Sequence, residues 1–328
     1  MPHKPSDVIT VSLNPAIDRI LEVPRLRLGA HQRGRLISRT PAGKAVNVSR
    51  ALAVLGVRNV ATGFLGKDEV ELFENSLDTA RIQPQFLPVD GTTRENVTLI
   101  DPVSHMETHI RDIGFAISEK DRIRLGKKLH LMSRPGSVVV FSGSVPDGIS
   151  PPQFAELLQV CISAGAHVVV DTSGPPLQAA AELPIWLLKP NVGELAEIAG
   201  RPLTTDAEVL AAGLEVARRA TTVVVSRGEA GGFCFVAGSA LKGHVAIRQD
   251  RVRNTVGCGD CLLAGFIAAR VQGHDIRESY RHALAVATAA AISVEPSHFL
   301  RQDVEEFLAV ASVDPIEHEL PAQNHQAE

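Results

Sequence analysis

The chain has 328 residues, 45% of them apolar, and a formal net charge of −4. That is ordinary globular composition with ample material for a core, and the length suits one large α/β domain with an insertion. No Lys/Arg run points to nucleic acid or an anionic membrane surface, and no apolar run approaches a membrane span, so neither partner is expected. Met1–Pro5 leads straight into Val8–Leu13 with no signal-peptide pattern, which predicts a cytoplasmic protein. Short β-branched runs then alternate with amphipathic stretches. Val8–Leu13, Val60–Phe64, Ser137–Ser142, His167–Asp171, Ile185–Lys189 and Thr222–Ser226 read as buried strands bounded by Gly, Pro or polar turns.

Helical patterns lie between them. Val46–Leu55 ends at Gly56, Ser118–Met132 opens with a capping-box pattern, and Pro151–Ala164 has Ser150 at its cap and Gly165 beyond its end. Strands alternating with helices predict a mostly parallel sheet covered on both faces. Two extended stretches, Ile20–Ser38 and Asn96–Arg111, interrupt the rhythm and read as a small antiparallel sheet over one edge. After Cys258 the pattern is helical through Gln272, through Ile276–Val294 and near Gln302–Ala311, before a polar tail, 321–328, expected to be disordered.

The strongest chemical signal is Asn254-Thr255-Val256-Gly257-Cys258-Gly259-Asp260-Cys261, placed before an apolar helix. Two glycines permit a tight turn with backbone N–H groups free to face a ligand, and the helix N-terminus adds positive dipole. Such a nest suits a phosphate. The loop is neither a Walker A sequence nor a complete Gly-x-Gly-x-x-Gly fingerprint. Taken alone, Asp260 reads as a helix cap.

The segment resembles the C-terminal signature of the PfkB (ribokinase-like) carbohydrate kinases, Asp-Thr-x-Gly-Ala-Gly-Asp. Asn254 at its head is similar to the branch with 1-phosphofructokinase and tagatose-6-phosphate kinase. Further matches follow in the family's order: Asn14-Pro15-Ala16-Ile17-Asp18, Ala42-Gly43-Lys44-Ala45-Val46-Asn47-Val48, Ser142-Gly143-Ser144-Val145-Pro146 and Lys189-Pro190-Asn191-Val192-Gly193-Glu194-Leu195. Val170–Gly174 and Thr93–Asn96 add weaker support.

The resemblance implies a single ribokinase-like three-layer α/β/α domain over 1–328, with a small antiparallel lid from about 18–40 and 94–112. It implies an ATP- and Mg²⁺-dependent kinase for a primary hydroxyl of a ketose monophosphate, of the fructose 1-phosphate or tagatose 6-phosphate type. Asp260 would be the base, and the N–H groups of Gly257, Cys258 and Gly259 the anion hole. An ordinary Asp, with a pKa near 3.9, can only take the proton late in a loose transition state. Asn191 and Glu194 would position the triphosphate, with Glu194 on the metal side through water; as sequence alone they read as helix cap and first turn. Ser226, Gly228, Thr255, Ala287 and Ala290 would line the nucleotide site, although two small helix residues equally suit packing. Asp18, Gly43 and Asn47 would face the sugar. Lys44 and Arg94, with Arg33 on the lid and Ser142 or Ser144, would grip the phosphate already on the substrate. By the same resemblance two lids would clasp in a homodimer.

Three departures bear on substrate choice rather than chemistry: Ala45 replaces a glycine, Arg111–Phe115 lacks a Pro-Gly-Pro-like element, and Glu295–His298 replaces a Gly-containing loop. Two other functions stay open, a kinase for an unphosphorylated sugar or nucleoside and a non-catalytic sugar-phosphate-binding regulator. The four cysteines, Cys161, Cys234, Cys258 and Cys261, suit a reducing compartment, and the Cys258–Cys261 spacing has no second pair to make a zinc site. His105 and His109 fall in an extended stretch, where a strand would separate them by roughly 13 Å.

Overall fold

The computed structural model describes residues 8–316, so the expectations for Met1–Pro5 and the 321–328 tail lie outside the described residues. The first elements are β1 (Val8–Ser12), β2 (Ala16–Glu22), β3 (Arg35–Ala42), α1 (Lys44–Val54), β4 (Asn59–Gly66), α2 (Val70–Leu77) and β5 (Ile82–Val89). They continue with β6 (Arg94–Asp101), β7 (Met106–Arg111), α3 (Glu119–Met132), β8 (Val138–Ser142), α4 (Pro151–Ser163), β9 (His167–Asp171), α5 (Gly174–Ala181) and β10 (Leu187–Leu188). The last are α6 (Val192–Ala199), α7 (Asp206–Val216), β11 (Thr222–Ser226), β12 (Gly232–Val236), β13 (Ser239–Val245), α8 (Cys258–Val271), α9 (Ile276–Ala291), α10 (Arg301–Val310) and β14 (Ala311–Pro315).

Among the described residues, ten strands form one sheet in the order β14-β13-β12-β11-β10-β9-β8-β1-β4-β5. From β5 to β11 every neighbour pair is parallel, and β12, β13 and β14 are added antiparallel. This is the mostly parallel, helix-covered sheet that the alternation of strands and helices predicts. The strands are apolar throughout because successive side chains enter opposite cores. Val138 and Val140 pack with α1, α8 and α9, while Val139 and Phe141 pack with α3, α4 and α5.

Helix ends follow their sequences. Ser118 accepts from Asp121 N, and Ser150 with Gln153 makes a full capping box. α1 stops where Gly56 takes φ 89° and Val57 N donates back to Leu52 O, a Schellman ending.

Four strands escape the sequence reading for identifiable reasons. β5 carries Pro84 and Pro88, which a central strand would not tolerate, but it is the outer strand of the sheet and its far side needs no donors. β12 and β13 join through Ala237-Gly238, both at positive φ, and the alanine masks the usual Gly- or Asn-led signal of such a turn. The last helix ends at Val310, not Ala311. Ala311 instead begins β14, which pairs along β13.

The small sheet has the order β3-β2-β6-β7. Its two hairpins are antiparallel, and their inner strands run parallel, with Ala16 opposite Arg94 and Asp18 opposite Asn96. Asp101 ties the far end together by accepting from Arg25 N, Leu26 N, Val103 N and Ser104 Oγ; those bonds outweigh its desolvation and hold its pKa at about 2. Among the described residues no helix is long and apolar enough to cross a membrane.

Candidate active site

The carboxyl ends of the parallel strands meet the N-terminus of α8, the crevice where open α/β sheets commonly bind ligands. Gly257 caps α8 in the left-handed region, φ 79°, and a Cβ there would lie 1.8 Å from Ser297 Oγ. The position therefore demands glycine on two counts. Asn254 braces the turn: its Oδ1 accepts from Val256 N at 2.9 Å and its Nδ2 donates to Val294 O at 3.1 Å. Among the described residues the N–H groups of Gly257 and Gly259 donate to no protein acceptor, whereas that of Cys258 reaches Thr255 O at 3.3 Å. Of the three expected anion-hole donors, two are uncommitted.

Asp260 lies just inside the helix and is only 5% exposed. Asn47 Nδ2, from α1, donates to its Oδ2 at 2.8 Å. Beside it stands Asp171, at the end of β9, bound by Lys189 Nζ at 3.1 Å, Lys44 Nζ at 3.4 Å and Ser142 Oγ at 3.1 Å. Burial opposes the ionisation of Asp171, but Lys189 and then Lys44 hold it below the ordinary carboxylate range. Asp260 goes the other way. Burial, and then the charge of Asp171, push it up to about 7, against the Asn47 bond and the pull of the two lysines. An ordinary Asp, assumed from the sequence, is thus replaced by a group that titrates near neutrality. Burial works to discharge Lys44, but Asp171, Asp260 and Glu194 outweigh it and raise its pKa.

Sequence reasoning missed Asp171 and Lys189 as members of this centre. Their signals were present: an Asp ending a buried strand, and a Lys ending the next one.

On the sugar side, Gly43 caps α1 at φ 116°, packed against Pro15 and Ala16, and Asn96 Nδ2 donates to Asp18 Oδ1 at 2.9 Å. Arg94 Nε donates to the carbonyls of Asn14 and Pro15, both at 3.3 Å, leaving the rest of its fork available. Burial first, and then the neighbouring Arg111 charge, lower its pKa. Ser144 Oγ accepts from Asn14 Nδ2 at 3.3 Å and so belongs with Arg94, whereas Ser142 is committed to Asp171. Lys44 also sits with the two aspartates rather than with Arg94. Arg33 is exposed in the connection beyond the Glu22–Arg35 pair. That is six strand residues from the Ala16–Arg94 end, or about 20 Å, so the fold does not bring Arg33 to Arg94.

On the opposite side of the Gly257–Gly259 turn lies a cavity of about 340 Å³ lined by Ser226, Gly228, Thr255, Cys258, Gly259 and Ala287, with Val245, Ile247, Val252 and Leu284 as apolar walls. Ala290 is not among its lining; it is 2% exposed and packed in the core, while Ala291 takes the cavity-facing place. Asn191 bridges to Ser226 at the strand ends, and Asn191 and Glu194 form a reciprocal capping box at the start of α6. Among the described residues no group of three or more His, Cys, Asp or Glu could hold a metal ion. His105 lies in the turn before β7 and His109 within it, bonded to Thr98. Burial, first, raises both thiols of the Cys258–Cys261 pair, to about 11 for Cys258 and further for Cys261.

Residues 8–301 match the family model described as pfkB family carbohydrate kinase. The chain is similar to the 1-phosphofructokinase of Haemophilus influenzae, 32% identical over 87% of this chain and 91% of that one, and to that of Vibrio cholerae, 33% identical over 88% and 90%. Among solved structures, phosphofructokinase-2 of Escherichia coli in complex with potassium superposes with a TM-score of 0.87 at 25% identity, covering 93% of this chain and 98% of that one.

Proposed function

The chain belongs to the pfkB family of carbohydrate kinases and is an ATP-dependent sugar kinase, and on that premise we propose that it phosphorylates a primary hydroxyl of a ketose monophosphate. Fructose 1-phosphate and tagatose 6-phosphate both fit, each with a phosphate at one end and a primary alcohol at the other. The relatives named 1-phosphofructokinase favour the first.

The observation that carries the reading is Asp260, a buried carboxylate held by Asn47 beside two uncommitted N–H groups. In this reading Asp260 aligns the acceptor hydroxyl and takes its proton as the oxygen–phosphorus bond forms. A pKa near 7 leaves much of it ionised at neutral pH and makes it a stronger base than an ordinary Asp. Gly257 and Gly259 N–H groups receive charge on the migrating phosphoryl, with Lys44 alongside. Asp171 and Lys189 set the local field without touching the hydroxyl. Arg94, beside Asp18 and Ser144, grips the phosphate already on the sugar.

The cavity next to the glycine turn fits a nucleotide, with apolar walls for a base and free N–H groups for its phosphates. The residues fit Mg²⁺ only as partial ligands: Glu194 would supply a carboxylate and the phosphates most of the rest, the usual arrangement for this ion in kinases. When bound, the ion would screen phosphate charge.

ADP release measured with fructose 1-phosphate, tagatose 6-phosphate, fructose 6-phosphate, fructose and ribose tests the proposal. A phosphorylated ketose is expected to exceed the free sugars by at least about a hundredfold in kcat/KM. Equal values would turn the assignment to a kinase of free sugars, and no release with any acceptor would turn it to a binding protein.

We further propose a homodimer through the small sheet, supported by Leu36, Ile37, Met106 and Ile110, each about half or more exposed on it. Light scattering that finds only monomer would remove this proposal.

A further inference from the structure

Two side chains meet at the edge of the nucleotide cavity from different loops. Glu229 lies in the turn between β11 and β12, and Gln249 opens the short helical turn Gln249–Arg251 leading toward the glycine loop. Both line the cavity, and Gln249 Nε2 donates to Glu229 Oε2 at 2.6 Å. Val245, Ile247, Val252 and Leu284 offer flat apolar packing, which any purine face satisfies equally. Thr288, also on the wall, spends its hydroxyl on Leu284 O at 2.9 Å. Ser226 and Thr255 lie beside the phosphate-facing turn. The Glu229–Gln249 pair is therefore the part of the wall best equipped to read a base edge.

We propose that Glu229 and Gln249 together recognise the exocyclic amine of the donor base, selecting a 6-aminopurine nucleotide over a 6-oxopurine one. The proposal rests on the reading of this cavity as the nucleotide site. A carboxylate only accepts, and by taking an N–H of Gln249 it fixes the orientation of that amide. The carboxylate's other oxygen and the amide oxygen are then acceptors at the cavity edge. An amine hydrogen satisfies them; a ring carbonyl brought to the same place sets oxygen against oxygen. Because both side chains are exposed, water softens the penalty, and discrimination of about tenfold to a hundredfold is expected rather than the much larger ratios of fully buried polar sites.

Calorimetric titration with ADP, GDP and IDP tests this without reference to the sugar. In Glu229→Ala and in Gln249→Ala the GDP:ADP ratio of Kd values should fall at least about tenfold, chiefly through weaker ADP binding. Ala287→Phe, which fills the cavity itself, should weaken all three nucleotides alike. If Ala287→Phe weakens all three but the ratio holds in both other variants, base selection by this pair is overturned while the nucleotide site stands. If Ala287→Phe leaves all three affinities unchanged, the cavity is not the nucleotide site and the proposal falls with that reading.

Discussion

Asn47 Nδ2 donates to Asp260 Oδ2 across 2.8 Å, joining the first helix of the chain to the eighth over 213 residues of sequence. The bond aims the carboxylate and, by favouring its charged form, holds its pKa lower than burial and Asp171 alone would set it.

Asn47→Leu keeps the branched heavy-atom skeleton and removes the bond. With Asp260 less well aimed and harder to ionise, kcat should fall about ten- to a hundredfold. The acid limb of kcat/KM, near pH 7 in the parent, should move to higher pH. A pH profile that keeps its acid limb while kcat drops would leave Asn47 as a packing residue only.

Asp260→Asn should lower kcat by at least about a hundredfold and also stabilise the apo protein. In the unfolded chain Asp260 ionises near its ordinary 3.8, but in the folded chain only near 7. Between those values the unfolded state has already released the proton that the folded state keeps. The parent's stability from this group is therefore complete below about pH 4 and lost as pH rises through 7. The asparagine variant carries no such loss. Its Tm advantage should grow from pH 4 to 7 and level off above, reaching several degrees for an effect on the order of 4 kcal/mol. Thermal melts showing an advantage independent of pH would contradict the raised pKa.

Gly257→Ala should destabilise the fold and weaken nucleotide binding together, because the methyl meets Ser297 Oγ at 1.8 Å and the backbone sits at φ 79°. Adding Ser297→Gly removes the obstructing side chain from a residue itself at φ 57°. The double variant should recover much of the lost Tm and keep the residual strain of an alanine in the left-handed region. Failure of Ser297→Gly to recover any stability would show that the backbone alone, not the contact, excludes a side chain here.

Much of this was legible in one dimension because the physics was local. Val138–Ser142 and His167–Asp171 announce buried strands by their β-branched runs, Ser150 and Asn191 announce their caps, and Gly257 and Gly259 announce a turn that bares its N–H groups. The order of these motifs along the chain was enough to name the family.

What stayed hidden depended on partners distant in sequence. Lys44 carried a basic charge suited to any phosphate, and only the approach of α1 to β9 assigns it to Asp171 and the transfer centre instead of the Arg94 end. Ala287 and Ala290 are indistinguishable by composition, but the rotation of α9 against the sheet turns one to the cavity and buries the other. Arg33 and Arg94 both lie in lid segments, yet the register of the small sheet sets them at opposite ends. The sequence determined which groups could do this chemistry, since a residue's type sets its charge, donors and backbone freedom. The tertiary structure decided which of them act together and near what pH, because proximity and burial are properties of the packed chain.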